Sequence, residues 1–283
     1  MMKHDGKWAR EIVEFQRGDG TWGPYFHTLS QPVSGKPLTT EQALRRLRAL
    51  GFTSGDEPVR KAVDYMTACL RGERKMDDYW EKTHNWGLYT KLMLSAWVRI
   101  FEPDNAPATD FARRWAKVIE EAFSGGAYDQ AVYMRAYEDE FSWKPRGCRE
   151  IDFVSFYPLS LLKGVLAPET EGRMLDYVLS RPGGIYYVCN KPLNAPPKAF
   201  ASREASFYLA ALEILAGYDT AREKLGFAVD WLMANRDENG RWDMGPKAND
   251  GVYFPLSDSW RKAEERVADC TERISGFLRK IGF

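Results

Sequence analysis

The stretch Phe15-Gln-Arg-Gly-Asp-Gly-Thr-Trp-Gly23 is a short polar turn that ends on a tryptophan, and Asn235-Arg-Asp-Glu-Asn-Gly-Arg-Trp-Asp-Met-Gly245 repeats its plan. Both carry Gly-x-Trp, at Gly20-Thr21-Trp22 and Gly240-Arg241-Trp242; Gly126-Ala127-Tyr128 and Gly184-Ile185-Tyr186 carry the same step with tyrosine. The four glycines are 106, 58 and 56 residues apart. If the first interval spans two periods, with a degenerate turn near Arg71 to Trp86, the period is about 55 residues, long enough for two helices and their loops. The chain therefore reads as a repeat of helical hairpins.

The segments between the turns fall into two kinds. Asp56 to Leu70 places Val59, Val63, Met66 and Leu70 on one stripe, and Phe111 to Phe123, Gly172 to Leu179 and Ala221 to Ala234 are similarly one-sided, as outer helices are. Leu88 to Phe101, Phe153 to Leu166 and Ala205 to Leu215 are apolar nearly all round, as a helix enclosed on every side must be. Thr39 to Leu50, with Thr39 as N-cap and Gly51 as stop, is a more polar first inner helix, and a closing helix is expected over Ser257 to Lys280. Tyr128 to Arg149 suits no helix and reads as an inserted loop or short strands; Lys191 to Lys198 is a second long loop. The expected fold is all-α, one domain over residues 1–283, with about five to six hairpins closed into a two-layer α/α toroid.

Forty basic and forty acidic residues cancel, without a block of like charges, which argues against a nucleic-acid face or a polybasic membrane surface. A small-molecule or protein partner is expected instead. The first fifteen residues hold no apolar run of the kind a secretory signal needs, and no stretch is apolar enough for a transmembrane helix, so a cytoplasmic protein is expected. Cys69, Cys148, Cys189 and Cys270 are scattered and suit a reducing compartment. Ten Trp, fourteen Tyr and fifteen Phe are enough both to fill a core and to line a cavity.

The two tryptophan turns resemble the QW repeat of squalene-hopene cyclases and protein prenyltransferase β-subunits, both α/α toroids. In that motif a Gln ends a helix and Gly-x-Trp folds the indole back on the helix end. Gln16 and Trp22 match, whereas Arg236 stands in place of the second Gln. Ala43 to Met66 also looks like the inner-helix, turn, outer-helix unit of that superfamily. The resemblance implies a central cavity for an isoprenoid-type or lipid diphosphate ligand. It does not carry over the catalytic residues, because the chain has no DxDD box, no Cys-His-Gly step and no Asp, Cys, His zinc order beyond Cys69 and His84. No metal and no cofactor is expected.

In such a ring the starts of the inner helices meet at one mouth, where free N–H groups and the helix dipole favour anions. Those starts are His84-Asn85-Trp86, Arg149-Glu150-Ile151-Asp152, Ser202-Arg203-Glu204 and Ser257-Asp258-Ser259-Trp260-Arg261. Arg149, Arg203 and Arg261 are the candidates to hold an anion, with Trp86, Trp260 and Tyr186 as aromatic contacts. Asp152, Glu204, His84 and Asp139, the last within the acidic run Glu138-Asp139-Glu140, are the candidates to move protons. The same Asp and Ser residues also suit helix caps, and an acidic run also suits a solvated loop. Two other readings stand beside the toroid binder. One is an α/α-barrel glycoside hydrolase or lyase with two facing carboxylates. The other is a non-catalytic repeat scaffold that binds a protein.

Overall fold

A computed structural model describes residues 3–27, 38–78, 85–145 and 149–283. The described residues are helical, with no strand and only two isolated bridges among them, Ser155 with Tyr186 and Ile185 with Cys189. None of their helices is long and apolar enough to cross a membrane. The contacts divide the chain into two compact units, residues 1–112 with 147–151, and 113–146 with 152–283.

The first unit holds α1 (Lys7–Glu14), α2 (Thr40–Ala49), α3 (Glu57–Leu70), α4 (Trp86–Phe101) and the start of α5 (Ala106–Ala122). Thr39 and Gln42 form a reciprocal capping box at α2, bonding each other's backbone N–H at 3.2 and 3.0 Å, and Gly51 follows the helix at φ +90°. Asn85 caps α4 by accepting the Leu88 N–H at 3.2 Å. The α3 stripe is buried at Val59, Val63 and Met66, while α4 is buried from Leu92 to Arg99, matching the one-sided and all-round patterns of their sequences.

The second unit holds the rest of α5, then α6 (Gln130–Phe141), α7 (Phe156–Leu161), α8 (Pro168–Ser180), α9 (Arg203–Leu215), α10 (Ala221–Lys224), α11 (Gly226–Ala234) and α12 (Ala263–Lys280). Three of these run the same way. Phe156 at the head of α7 donates its N–H to Tyr186, and α9 starts beside the same loop, with Glu204 3.6 Å from Lys191 and Tyr208 bonded to the Leu193 carbonyl. At the other end, Tyr218 beyond α9 donates to Leu159 of α7 at 2.7 Å. α12 finishes beside α10, the helix that follows α9, with Phe283 5.8 Å from the Arg222 guanidinium. α8 and the α10–α11 pair return the chain between these parallel helices. The starts of α7, α9 and α12 consequently share one end of the unit.

The two tryptophan turns have one geometry. Trp22 Nε1 donates to the Ile12 carbonyl at 2.7 Å, and Trp242 Nε1 to the Leu232 carbonyl at 2.7 Å. Arg17 N–H meets the Thr21 carbonyl at 2.8 Å, and Asp237 N–H the Arg241 carbonyl at 2.8 Å. A threonine hydroxyl receives each tryptophan backbone N–H, Thr40 at 3.0 Å and Thr271 at 3.1 Å. Gly20 and Gly240 sit at φ +92° and +77°, the left-handed region that glycine enters without steric cost. The tyrosine copies diverge. Tyr128 joins the rings of Phe123, Phe153 and Tyr177, and Tyr186 stays 52% exposed.

Four expected segments differ. The expected inserted loop at 128–149 contains α6: Asp129 caps it through the Ala131 and Val132 N–H groups, and Tyr133, Ala136 and Tyr137 bury one helical face. Tyr137 and Phe141 pack on Trp115 of α5 at 5.7 and 5.0 Å. α7 is shorter than expected, because Asp152 folds back on the Val154 N–H and Ser155 bridges to Tyr186. The expected helix over Ala221 to Ala234 is broken at Leu225, which is α10's C-cap and α11's N-cap. The closing helix begins at Ala263 rather than Ser257, because Asp269 of α12 draws in the N–H groups of Leu256 and Ser257 and so ties 256–260 into a loop.

Candidate functional site

The end of the second unit where α7, α9 and α12 begin is built from the loops 181–202 and 243–262. Its most unusual element is the turn Arg181-Pro-Gly-Gly-Ile-Tyr-Tyr187. Ile185 and Cys189 exchange backbone hydrogen bonds at 2.9 Å each, closing a tight loop. Gly184, at φ +60°, lies so close to the Cys189 and Lys191 carbonyls that no side chain fits there. Tyr187 sits at φ +70°, which costs a non-glycine residue about 1 kcal/mol. That conformation sets its ring 4.1 Å from Tyr186 and 5.8 Å from Tyr157, so that the exposed Tyr186 belongs to a tyrosine cluster on the surface.

Charged residues flank the cluster. Arg181 Nη1 reaches both carboxylate oxygens of Asp152, at 2.8 and 2.7 Å, and its guanidinium lies 5.9 Å from the Tyr177 ring. Burial pushes the Tyr177 hydroxyl pKa up against the opposing charge of Arg181. Asp152 is therefore ion-paired and capping the Val154 N–H. Glu204 faces Lys191, while Arg203, exposed at the head of α9, lies 5.4 Å over the Phe207 ring. Ser202 caps α9 by accepting the Ala205 N–H at 3.1 Å. Of the residues expected at a site, Tyr186 thus lies in the tyrosine turn itself, with Asp152 paired to its Arg181 and Glu204 paired to Lys191 just beyond it.

Trp260 and Arg261 lie in the loop before α12. The Trp260 indole N–H donates to Asp269 at 2.7 Å and its ring packs 4.9 Å from Phe254, whereas Arg261 is exposed, its N–H bonded to the Ser259 hydroxyl at 3.1 Å. The acidic run sits on α6, where successive residues turn by about 100°. Glu140 bonds Arg114 and faces Lys117 at 3.6 Å, Glu138 faces Lys144 at 3.5 Å, and Asp139 is exposed between them. Each of the two flanking carboxylates therefore has its own cation. In the first unit Trp86 opens α4, with its ring 5.8 Å from Tyr89, and Arg149 is exposed. His84 and Cys148 lie outside the described residues.

Sequence reading missed the buried polar groups of α9 and α12. Arg273, nearly inaccessible, meets both oxygens of Glu213 at 2.8 and 3.0 Å, bonds the Ser206 hydroxyl at 3.1 Å and lies 4.8 and 4.7 Å from the rings of Tyr253 and Phe254. Burial disfavours its charge, but Glu213 and Asp250 more than offset this and raise its pKa. Ser206 donates to Asp250, whose other oxygen caps the N–H groups of Val252, Tyr253 and Phe254. Asp269 Oδ2 accepts from the Leu256 and Ser257 N–H, the Ser257 hydroxyl and Trp260. These groups anchor the loop 249–261 to α9 and α12. The signal was a pair of charges, Asp269 and Arg273, at helical spacing on the same stripe as Cys270, Ile274 and Phe277.

No family model, curated protein or solved structure matches the chain. Among the described residues no group of three or more His, Cys, Asp or Glu side chains is placed to hold a metal ion.

Proposed function

We propose that the chain is an α/α toroid of the prenyltransferase and terpene-cyclase type that binds a small, partly anionic organic ligand. The shared geometry of the two tryptophan turns and the parallel course of α7, α9 and α12 support the toroid. The observation that carries the ligand reading is the tyrosine cluster. An exposed Tyr186 beside a left-handed Tyr187 is backbone strain held where it presents aromatic surface, at the end where the three helices begin. Arg203 and Arg261, both exposed at that end, are the groups to take the anionic part, and the tyrosine rings take its apolar part. Asp152 and Glu204 are already occupied by Arg181 and Lys191, and in this reading they fix those cations and the loop rather than move protons. Native mass spectrometry of protein purified from its host tests for a retained ligand. Binding of that ligand should weaken at least tenfold in Arg203→Ala/Arg261→Ala and in Tyr186→Ala, with melting behaviour unchanged. Equal affinity in all three proteins would remove the site from this end of the unit.

A further inference from the structure

The two tryptophan turns share a backbone but not a setting. In the first, Gln16 Nε2 reaches the Pro58 carbonyl of α3 at 2.7 Å, and a Cβ at Gly20 would stand 2.5 Å from the Lys61 carbonyl, so the turn is wedged against that helix. In the second, a Cβ at Gly240 meets the flexible end of the Arg236 side chain, and residues 233–239 are all exposed. The residue before the glycine differs as well. Asp19 in the first turn accepts the Thr21 N–H at 3.0 Å and the Thr21 hydroxyl at 2.6 Å. Asn239 in the second turn donates its backbone N–H to Asp237 at 2.9 Å and, among the described residues, has no hydrogen bond to its side chain.

Of the chain's asparagines only Asn239 precedes a glycine. With no Cβ on the following residue, the next backbone nitrogen lies open to the asparagine side-chain carbonyl. We infer that Asn239 is a site of spontaneous deamidation, in which the Gly240 nitrogen closes a cyclic imide on the Asn239 side chain. That nitrogen gives up its proton and bonds to Cγ; the Cγ–Nδ2 bond breaks and the side-chain nitrogen leaves as ammonia. Water then opens the ring at either carbonyl, leaving aspartate or, with the main chain rerouted through the side-chain carboxyl, isoaspartate. Each ammonia released consumes one water, and nothing is oxidised. The Gly240 N–H donates to the Asp237 carbonyl at 3.0 Å, a single turn bond that shifts the equilibrium by about fivefold, so the turn opens for the reaction without unfolding of the chain. The aspartate product reproduces the Asp19-Gly20 step of the first turn. Isoaspartate adds a backbone carbon inside the Asp237–Arg241 pair, bonded at 2.8 Å, and so loosens the anchorage of Trp242. The modification is independent of the ligand proposed above and uses none of its residues.

The test is peptide mapping by mass spectrometry of the full chain, stored at physiological temperature in mildly alkaline buffer with and without urea. The peptide holding Asn239 should gain the mass of an amide-to-acid change ahead of those holding Asn190, Asn194 and Asn249. Its rate in the folded chain should stay within about tenfold of its rate in urea, because one turn bond is all that opens. Electron-transfer fragments should show isoaspartate beside aspartate at position 239, since only the imide route yields both. The isoaspartate fraction should unfold at lower urea than the Asn239→Asp variant, which carries the other product. A larger gap between the folded and urea rates would overturn the inference; it passes about a thousandfold when only the unfolded chain reacts. Aspartate formed without isoaspartate would overturn it as well. Both readouts come from the unaltered protein, so they stand whether or not the variant folds.

Discussion

The indole of Trp22 is fully buried and donates to the Ile12 carbonyl ten residues upstream, a bond that ties the end of α1 to the turn after it. Trp242 ties α11 to its own turn through Leu232 in the same way. Trp22→Phe and Trp242→Phe each remove one buried hydrogen bond and part of a ring. Each should cost about 2 kcal/mol in urea unfolding, and similar losses are the mark of a shared motif.

The glycines of these turns should not be equivalent. At Gly240 a new Cβ meets the far end of the flexible Arg236 side chain at 2.6 Å, so Gly240→Ala costs mainly the left-handed backbone, about 1 kcal/mol. At Gly20 it meets the Lys61 backbone carbonyl, which belongs to α3 and cannot step aside. Gly20→Ala should therefore cost about 3 kcal/mol or more, measured on the same denaturation scale. Equal losses would show that the turn is not wedged on α3.

Arg273→Met leaves Glu213 and Asp250 without their shared cation beneath the 249–261 loop. Loss of one partner from a buried ion pair costs about 3 kcal/mol or more, because the remaining charge stays desolvated. Glu213→Gln should cost less, since Glu213 is partly exposed and its amide still accepts from Arg273. Chemical denaturation of the two variants gives the order.

Asp269→Asn converts a carboxylate that serves four donors into an amide with half its accepting capacity. The loop 256–260 should exchange its amide hydrogens faster, while protection in α3 and α4 stays unchanged. Trp260, released from its acceptor, should emit at longer wavelength as water reaches the ring. Unaltered exchange at Leu256 and Ser257 would show that Asp269 does not hold the loop.

Acid should release the Asp243–Arg266 pair. The Arg266 guanidinium, bonded to both carboxylate oxygens at 2.7 Å, pulls the Asp243 pKa below its ordinary 3.8. A folded-state pKa below the unfolded one adds stability above the ordinary carboxylate range, which is lost as pH falls through the folded value. Asp243→Asn should thus be less stable near neutrality by about 1 kcal/mol, since the pair is half exposed, and the difference should vanish in strong acid. The thiols respond in the other direction. Burial pushes Cys270 up to about 12, so it should resist thiol reagents until the chain unfolds, whereas the half-exposed Cys69 should react before Cys189 and Cys270, the other two described thiols.

The helices legible in the sequence were those whose burial matches a simple period. α3 with its single stripe, α4 and α9 with their all-round apolar surfaces, and α2 with its Thr39 cap and Gly51 stop form where the pattern places them. α6 was hidden because its three-residue acidic run breaks the apolar rhythm, although Tyr133, Ala136 and Tyr137 keep helical spacing. The loop at 257–262 was hidden for another reason. Its sequence resembles a capped helix start, and only Asp269, a turn and a half into α12, turns those N–H groups away from helix formation.

What the residues determined alone is local: Gly20 and Gly240 must be glycine because the turn needs positive φ, and the indoles must fold back because a polar turn follows an amphipathic helix. Backbone sterics and hydrogen-bond geometry act over a few residues and leave a readable spacing. The tertiary structure decided which charges meet. Asp152 with Arg181, Glu204 with Lys191, and Glu213 with Arg273 lie 29, 13 and 60 residues apart, and no period encodes such pairs. It also decided that Tyr186 stays in water while Trp22 does not, because solvent exposure depends on what the rest of the fold leaves uncovered.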